Sequence, residues 1–146
     1  MRYNNDILGL FPLRLFLLHQ EQTTLHIHEP KYLQLVNDCI QHDGYFGIPF
    51  HSKTKLHEYG CVVKIVEVTK EYQNGEIDIT IECVQNFKLD TYEAQKDDRL
   101  YPDGKISLLT NQLISPNNEL IELANSYNRL LFKTEVSQSP YVNIQH

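Results

Sequence analysis

GCVVKIVEVTKEYQNGEIDITIECV, residues Gly60–Val84, holds two apolar runs on either side of an Asn74-Gly75 pair. In the second run Ile77, Ile79 and Ile81 alternate with Asp78, Thr80 and Glu82. Successive side chains of a strand point to opposite faces, so this pattern gives one buried face and one wet face. The first run, Gly60–Thr69, is the other clear strand, and Asn-Gly is a strong reverse-turn signal between them. The stretch predicts an antiparallel hairpin.

Working outward, Tyr45–His51 reads as a further strand, followed by a polar loop over residues 52–58. On the far side, Phe87–Tyr92 and Lys105–Leu109 read as strands, separated by a charged segment that ends in the turn-forming Pro102-Asp103-Gly104. Toward the N-terminus, Thr23–His28 is a short extended stretch. Leu10–Leu18 alternates, with Leu13, Leu15 and Leu17 on one side and Arg14, Phe16 and Leu18 on the other. That predicts a strand whose second face is partly covered.

Two segments carry a helical period instead. Pro30 suits a first helical position, where its missing N–H costs nothing. Tyr32, Leu35, Val36, Cys39 and Ile40 then recur along one helix face, and Gly44 supplies the stop. Near the C-terminus, Ser115-Pro116 opens a stripe of Leu120, Leu123, Ala124, Tyr127, Leu130 and Leu131 that runs to Lys133. The expected fold is α+β: a mixed or antiparallel sheet that curls on itself, with one inserted helix and a C-terminal helix. The expected division is a β-rich domain over 1–111 and a helix with its tail over 112–146.

Composition narrows the function. The 146 residues are 41% hydrophobic and 22% charged, ordinary for a folded domain with its own core. A net charge of -6, with 13 basic residues scattered among 19 acidic ones, disfavours a nucleic-acid partner. Three cysteines, Cys39, Cys61 and Cys83, with no C-x-x-C pair, suggest buried thiols in a reducing compartment. The apolar run Ile7–Leu18 is interrupted by Gly9, Pro12 and Arg14 and is too short to span a bilayer. The chain is expected to be cytoplasmic, with no membrane partner.

No motif assembles a reaction. Gly104-Lys105 is followed by Ile106 and opens a strand, so it cannot cradle phosphate as a P-loop does. G-x-S-x-G and H-E-x-x-H are absent from the sequence. His26 and His28 stand two apart with Glu29 following, which could begin a zinc site, but no third ligand is placed by spacing. The expectation is a chain without catalytic residues, metal or cofactor.

The ordered segments point further. Leu10-Phe11-Pro12-Leu13 is followed by Leu25–Tyr32 (LHIHEPKY) and Phe46-Gly47-Ile48. Gly60–Ile65 (GCVVKI) comes next, then the strand through Asp78–Val84, closing on Asn86-Phe87-Lys88-Leu89. Over residues 10–89 this series resembles the substrate-binding domain at the N-terminus of ATP-dependent Lon proteases. The resemblance implies a PUA-like β-rich pseudo-barrel, often followed by a helical subdomain. It covers the non-catalytic part alone; the ATPase and Ser-Lys peptidase modules have no counterpart in these residues. The sequence departs from the family pattern at His19-Gln20-Glu21-Gln22, where a proline-glycine turn is usual. It departs again at His28 (usually Phe), Cys83 (usually glycine) and Asn86 (usually arginine).

What the resemblance implies is a stand-alone module that binds unfolded proteins or peptides, working beside a protease or chaperone machine. Candidate contacts are Phe16 and Leu18, His28, and Leu33 on the polar side of the first helix. Two other classes compete: an RNA-binding module, because PUA-like folds often serve that purpose, and a small metal protein using His26, His28 and Glu29.

Overall fold

The Asn-Gly hairpin is the spine of the molecule. The computed structural model describes residues 7–42, 44–95, 99–109 and 125–126. In it β4 (Leu56–Glu71) and β5 (Ile77–Leu89) form one long antiparallel pair. Gly75 turns the chain at φ 95°, a left-handed conformation that glycine adopts without a Cβ clash. The turn is closed by Tyr72 N–H to Glu76 O at 2.9 Å and by Glu76 N–H to the Asn74 side-chain oxygen at 3.0 Å.

The other strands assemble on this pair: β1 (Ile7–Gly9), β2 (Gln22–Ile27), β3 (Tyr45–His51) and β6 (Asp103–Leu108). The order is β1-β6-β5-β4-β3, with β2 also on β5, and every ladder is antiparallel. The sheet curls until the segment after β1 meets β3 through two parallel bridges, Leu10 with Gly47 and Leu13 with Phe50. Bridges rather than a full ladder complete the circuit, so the body is a pseudo-barrel. Its interior holds Phe11, Leu25, Ile27, Phe46, Ile48, Ile79 and Ile81, all fully buried.

Helix α1 (Pro30–His42) spans the gap between β2 and β3 and buries Tyr32, Leu35, Val36 and Cys39. Tyr32 stacks on Phe11 at 3.9 Å between ring centres, which fixes the helix to the barrel wall. Gly44 closes the helix through its N–H to Cys39 O at 2.9 Å. It does so without the left-handed conformation expected of it; among the described glycines only Gly75 has positive φ.

Several sequence expectations are corrected. Leu10–Leu18 joins no ladder, though its second face is partly covered as expected, with Arg14 and Leu18 half-buried. Leu15, Phe16 and Leu17 are all buried because this segment seals the barrel rather than lying on its surface. The two strands expected over 76–92 are one, and β4 begins at Leu56, inside the stretch read as loop. The C-terminal helix falls outside the described residues except for 125–126, which are helical.

Two residues at the family's pattern positions explain how the barrel closes. A Cβ on Gly60 would stand 2.3 Å from Ile48 O and 2.6 Å from the Pro49 Cα, so only glycine lets β3 and β4 approach. Asn86 is buried and donates from Nδ2 to Leu17 O at 2.9 Å and to Gly60 O at 3.2 Å. It thereby satisfies two interior carbonyls that would otherwise lack these donors. After Leu18 the chain turns at Gln20, φ 74°, within the segment where the family has proline-glycine.

Candidate functional site

The four residues singled out by sequence are distributed over separate parts of the barrel. Phe16 is 4% exposed and belongs to the interior, which corrects the expectation that it lies on an open face. Leu18 is half-buried at the following turn, where its N–H donates to Glu21 Oε1 at 2.7 Å. Leu33 is half-buried and packs against the main core from the first turn of α1. His28, also half-buried, lies at the end of β2 beside His26, with ring centres 6.0 Å apart.

His26 and His28 do share a face, as their spacing implies. Yet His26 Nδ1 lies 2.7 Å from Asp78 Oδ1 and its Nε2 lies 2.9 Å from Glu76 Oε1. When protonated, a ring between two carboxylate acceptors donates from both nitrogens and then has no lone pair for a metal. Burial, the largest single influence, favours the neutral ring. The hydrogen bonds and charges of Asp78 and Glu76 together outweigh it and raise the His26 pKa. Tyr72 completes the cluster, donating its hydroxyl to Asp78 Oδ2 at 2.7 Å. Burial alone would raise the Asp78 carboxyl, but the bonds from His26 and Tyr72 hold it below its ordinary value. Among the described residues no group of three or more His, Cys, Asp or Glu side chains is arranged to hold a metal ion. The cluster is a polar clamp tying β2 to the hairpin end.

The cysteines have the setting of packing residues. Burial, with the Asp38 charge second, pushes the Cys39 thiol up to about 12. A hydrogen bond with Cys61 and burial push the Cys83 thiol far above its ordinary range. A nucleophilic cysteine needs the opposite shift.

A different feature was missed by sequence reasoning. The helical stripe in the sequence places Ile40 on the buried face, yet it is 47% exposed. Across from it, Val66 on β4 is 45% exposed. Between the last turn of α1 and the middle of β4 lies an open groove of about 320 Å³, lined by Cys39, Ile40, Tyr45, Ile65, Val66 and Val68. Lys64 and Glu67 add one charge of each sign to its walls. Val66 faces outward because it is an extra residue: Ile65 pairs with Ile81 and Glu67 with Thr80, so β4 bulges between them. The available signal was a surplus of apolar residues in Ile65–Val68, more than one buried face can use.

Pseudo-barrel and inserted helix together define a small β-rich domain with an open groove beside the helix. Comparison with known proteins makes the class specific. A sequence model of the ATP-dependent protease La (LON) substrate-binding domain matches residues 8–144, and the chain belongs to that family. LON substrate-binding domains bind substrate proteins. Among solved structures, the chain is similar to a Lon N-terminal domain protein from Xanthomonas campestris, with 25% identity and a TM-score of 0.61. The match covers 70% of this chain and 59% of that one, so the chain spans less than two thirds of that relative's length. The N-terminal domain of Mycobacterium avium complex Lon protease shares the fold at 8% identity and a TM-score of 0.57, over 84% of this chain and 75% of that one. No curated protein matches the chain. Among the described residues, no helix is long and apolar enough to cross a membrane.

Proposed function

We propose that this chain is a non-catalytic protein-binding module that holds exposed apolar segments of unfolded polypeptides in the groove between α1 and β4. The observation that carries the reading is the pair Ile40 and Val66, large apolar side chains left open to water on facing walls of one groove. A rigid scaffold that exposes apolar surface gains free energy when a partner covers it. Leu18, His28 and Leu33, each half-buried, are further candidate contacts at the margins of such a partner. Three free, buried cysteines fit work in the reducing cytoplasm, beside a protease or chaperone machine that acts on what the module holds. The net charge of -6 and the mixed signs of Lys64 and Glu67 give RNA no basic track to follow.

The test is a fluorescence anisotropy titration with a labelled, unfolded, cysteine-blocked protein. Saturable binding is expected, and it should be lost in an Ile40→Asp, Val66→Asp double variant whose circular dichroism is unchanged. Absence of saturable binding by the unaltered chain would remove the reading.

A further inference from the structure

The groove continues an existing ladder. Strand β3 pairs with β4 from His51 with Leu56 to Tyr45 with Lys64, and there it stops. Strand β4 runs on to Glu71, still paired to β5 on its other edge as far as Ile77. Among the described residues, none pairs with Ile65–Glu71 on the edge that β3 has left. The chain enters β3 directly from the Gly44 turn, so the last turn of α1, with Cys39 and Ile40, flanks the place where β3 would have continued.

We propose that the module captures its partner by strand addition: an unfolded, uncharged apolar segment lies extended along Ile65–Glu71, in line with β3, and sets an apolar side chain between Ile40 and Val66. This rests on the reading of the groove as a peptide site and specifies its substrate class. Unpaired backbone donors and acceptors on a strand edge are a template for another extended chain. A helical partner cannot use them, because its own backbone groups are already paired.

Two features select a flexible chain over the edge of a second copy. Strand β4 carries extra residues at Val66 and at Thr69, where the register steps from Val68–Ile79 to Lys70–Asp78. Such bulges bend the strand and increase its twist. Two identical twisted edges meet poorly along their length, whereas an unfolded segment can follow the bend. The free stretch also carries Glu67, Lys70 and Glu71, charges of both signs, so a partner with a run of either sign meets repulsion at one or more of them. An uncharged run meets none.

The experiment uses the full chain and a labelled apolar peptide of about ten residues, long enough to extend beyond the free edge. Two further peptides keep every side chain but are N-methylated at the odd or at the even positions. Alternate amides of a strand face one edge, so one of the two should bind at least about tenfold more weakly and the other nearly as well as the parent. An equal response of both, whether retained or lost, overturns strand addition. If the unmodified peptide itself does not bind, the peptide site fails, a result distinct from the first. Dimerisation of the chain through the same edge, seen by sedimentation and competed by the peptide, would name a second copy as the occupant and also overturn the proposal.

Discussion

Strand β4 has two halves, and they differ less in sequence than in what lies beside them. From Leu56 to Lys64 it has β3 on one edge and β5 on the other, and Cys61, Val62 and Val63 are fully buried. From Ile65 to Glu71 it keeps β5 alone, and Val66 stands in water. Both halves contain β-branched residues, Val62 and Val63 in the closed one and Ile65, Val66, Val68 and Thr69 in the open one. The closed half uses them as core; the open half has more apolar side chains than its core can take. Ending one neighbouring strand early leaves the second half of β4 with an edge that no described residue pairs.

The closed half should be the more sensitive to substitution. Gly60→Ala pushes a methyl group into the backbone of Ile48 and Pro49, which cannot yield as a side-chain tip would. A loss of about 3 kcal/mol or more in urea unfolding is expected, at the upper end for overpacking. A neutral result would break the claim that close approach of β3 and β4 needs glycine. Next in size is Asn86→Ala, which leaves the Leu17 and Gly60 carbonyls without this donor. About 2 kcal/mol is expected, because a buried acceptor stripped of its partner bears its own desolvation cost.

A smaller effect is expected at the open end, and it depends on pH. The folded pKa of His26 is raised, so its clamp on Asp78 and Glu76 contributes fully below the ordinary value of 6.5 and is lost as pH climbs through the folded value. The folded pKa of Asp78 is lowered, so its contribution is full above 3.8 and is lost as pH falls through its folded value. Amide protection around Tyr72–Asp78 should therefore be greatest between 3.8 and 6.5 and decline toward alkaline pH. His26→Gln should flatten the alkaline decline. An unchanged slope would show that the clamp does not hold the hairpin end.

The smallest effect on stability belongs to the groove itself. Val66→Ser removes an exposed methyl pair and should move the unfolding free energy by no more than about 0.5 kcal/mol. The same change should weaken peptide binding severalfold. A large stability loss would mean that Val66 is covered, and the contrast between the two halves would collapse.

Sequence reasoning found what local chemistry specifies. Asn74-Gly75 announces the hairpin, and Pro30 with the stripe from Tyr32 to Cys39 announces the helix. It missed β1, whose three residues are too few to show a period. It placed Ile40 inside because the helical spacing continues through that residue, although the β-sheet beneath does not. Alternation in Leu10–Leu18 implies a second face only partly covered, which leaves room for an open Phe16, yet the barrel closes over that residue. Periodicity reports which way a side chain points. It does not report where a neighbouring strand ends, and the groove depends on that.

Hydrogen exchange of the full chain with and without an unfolded, labelled polypeptide addresses this most directly. Slowed exchange confined to Ile65–Glu71 and the last turn of α1, with Leu56–Lys64 unchanged, is the predicted result. Slowing instead along β1 and β6, with Ile65–Glu71 unaffected by a bound partner, would contradict the account.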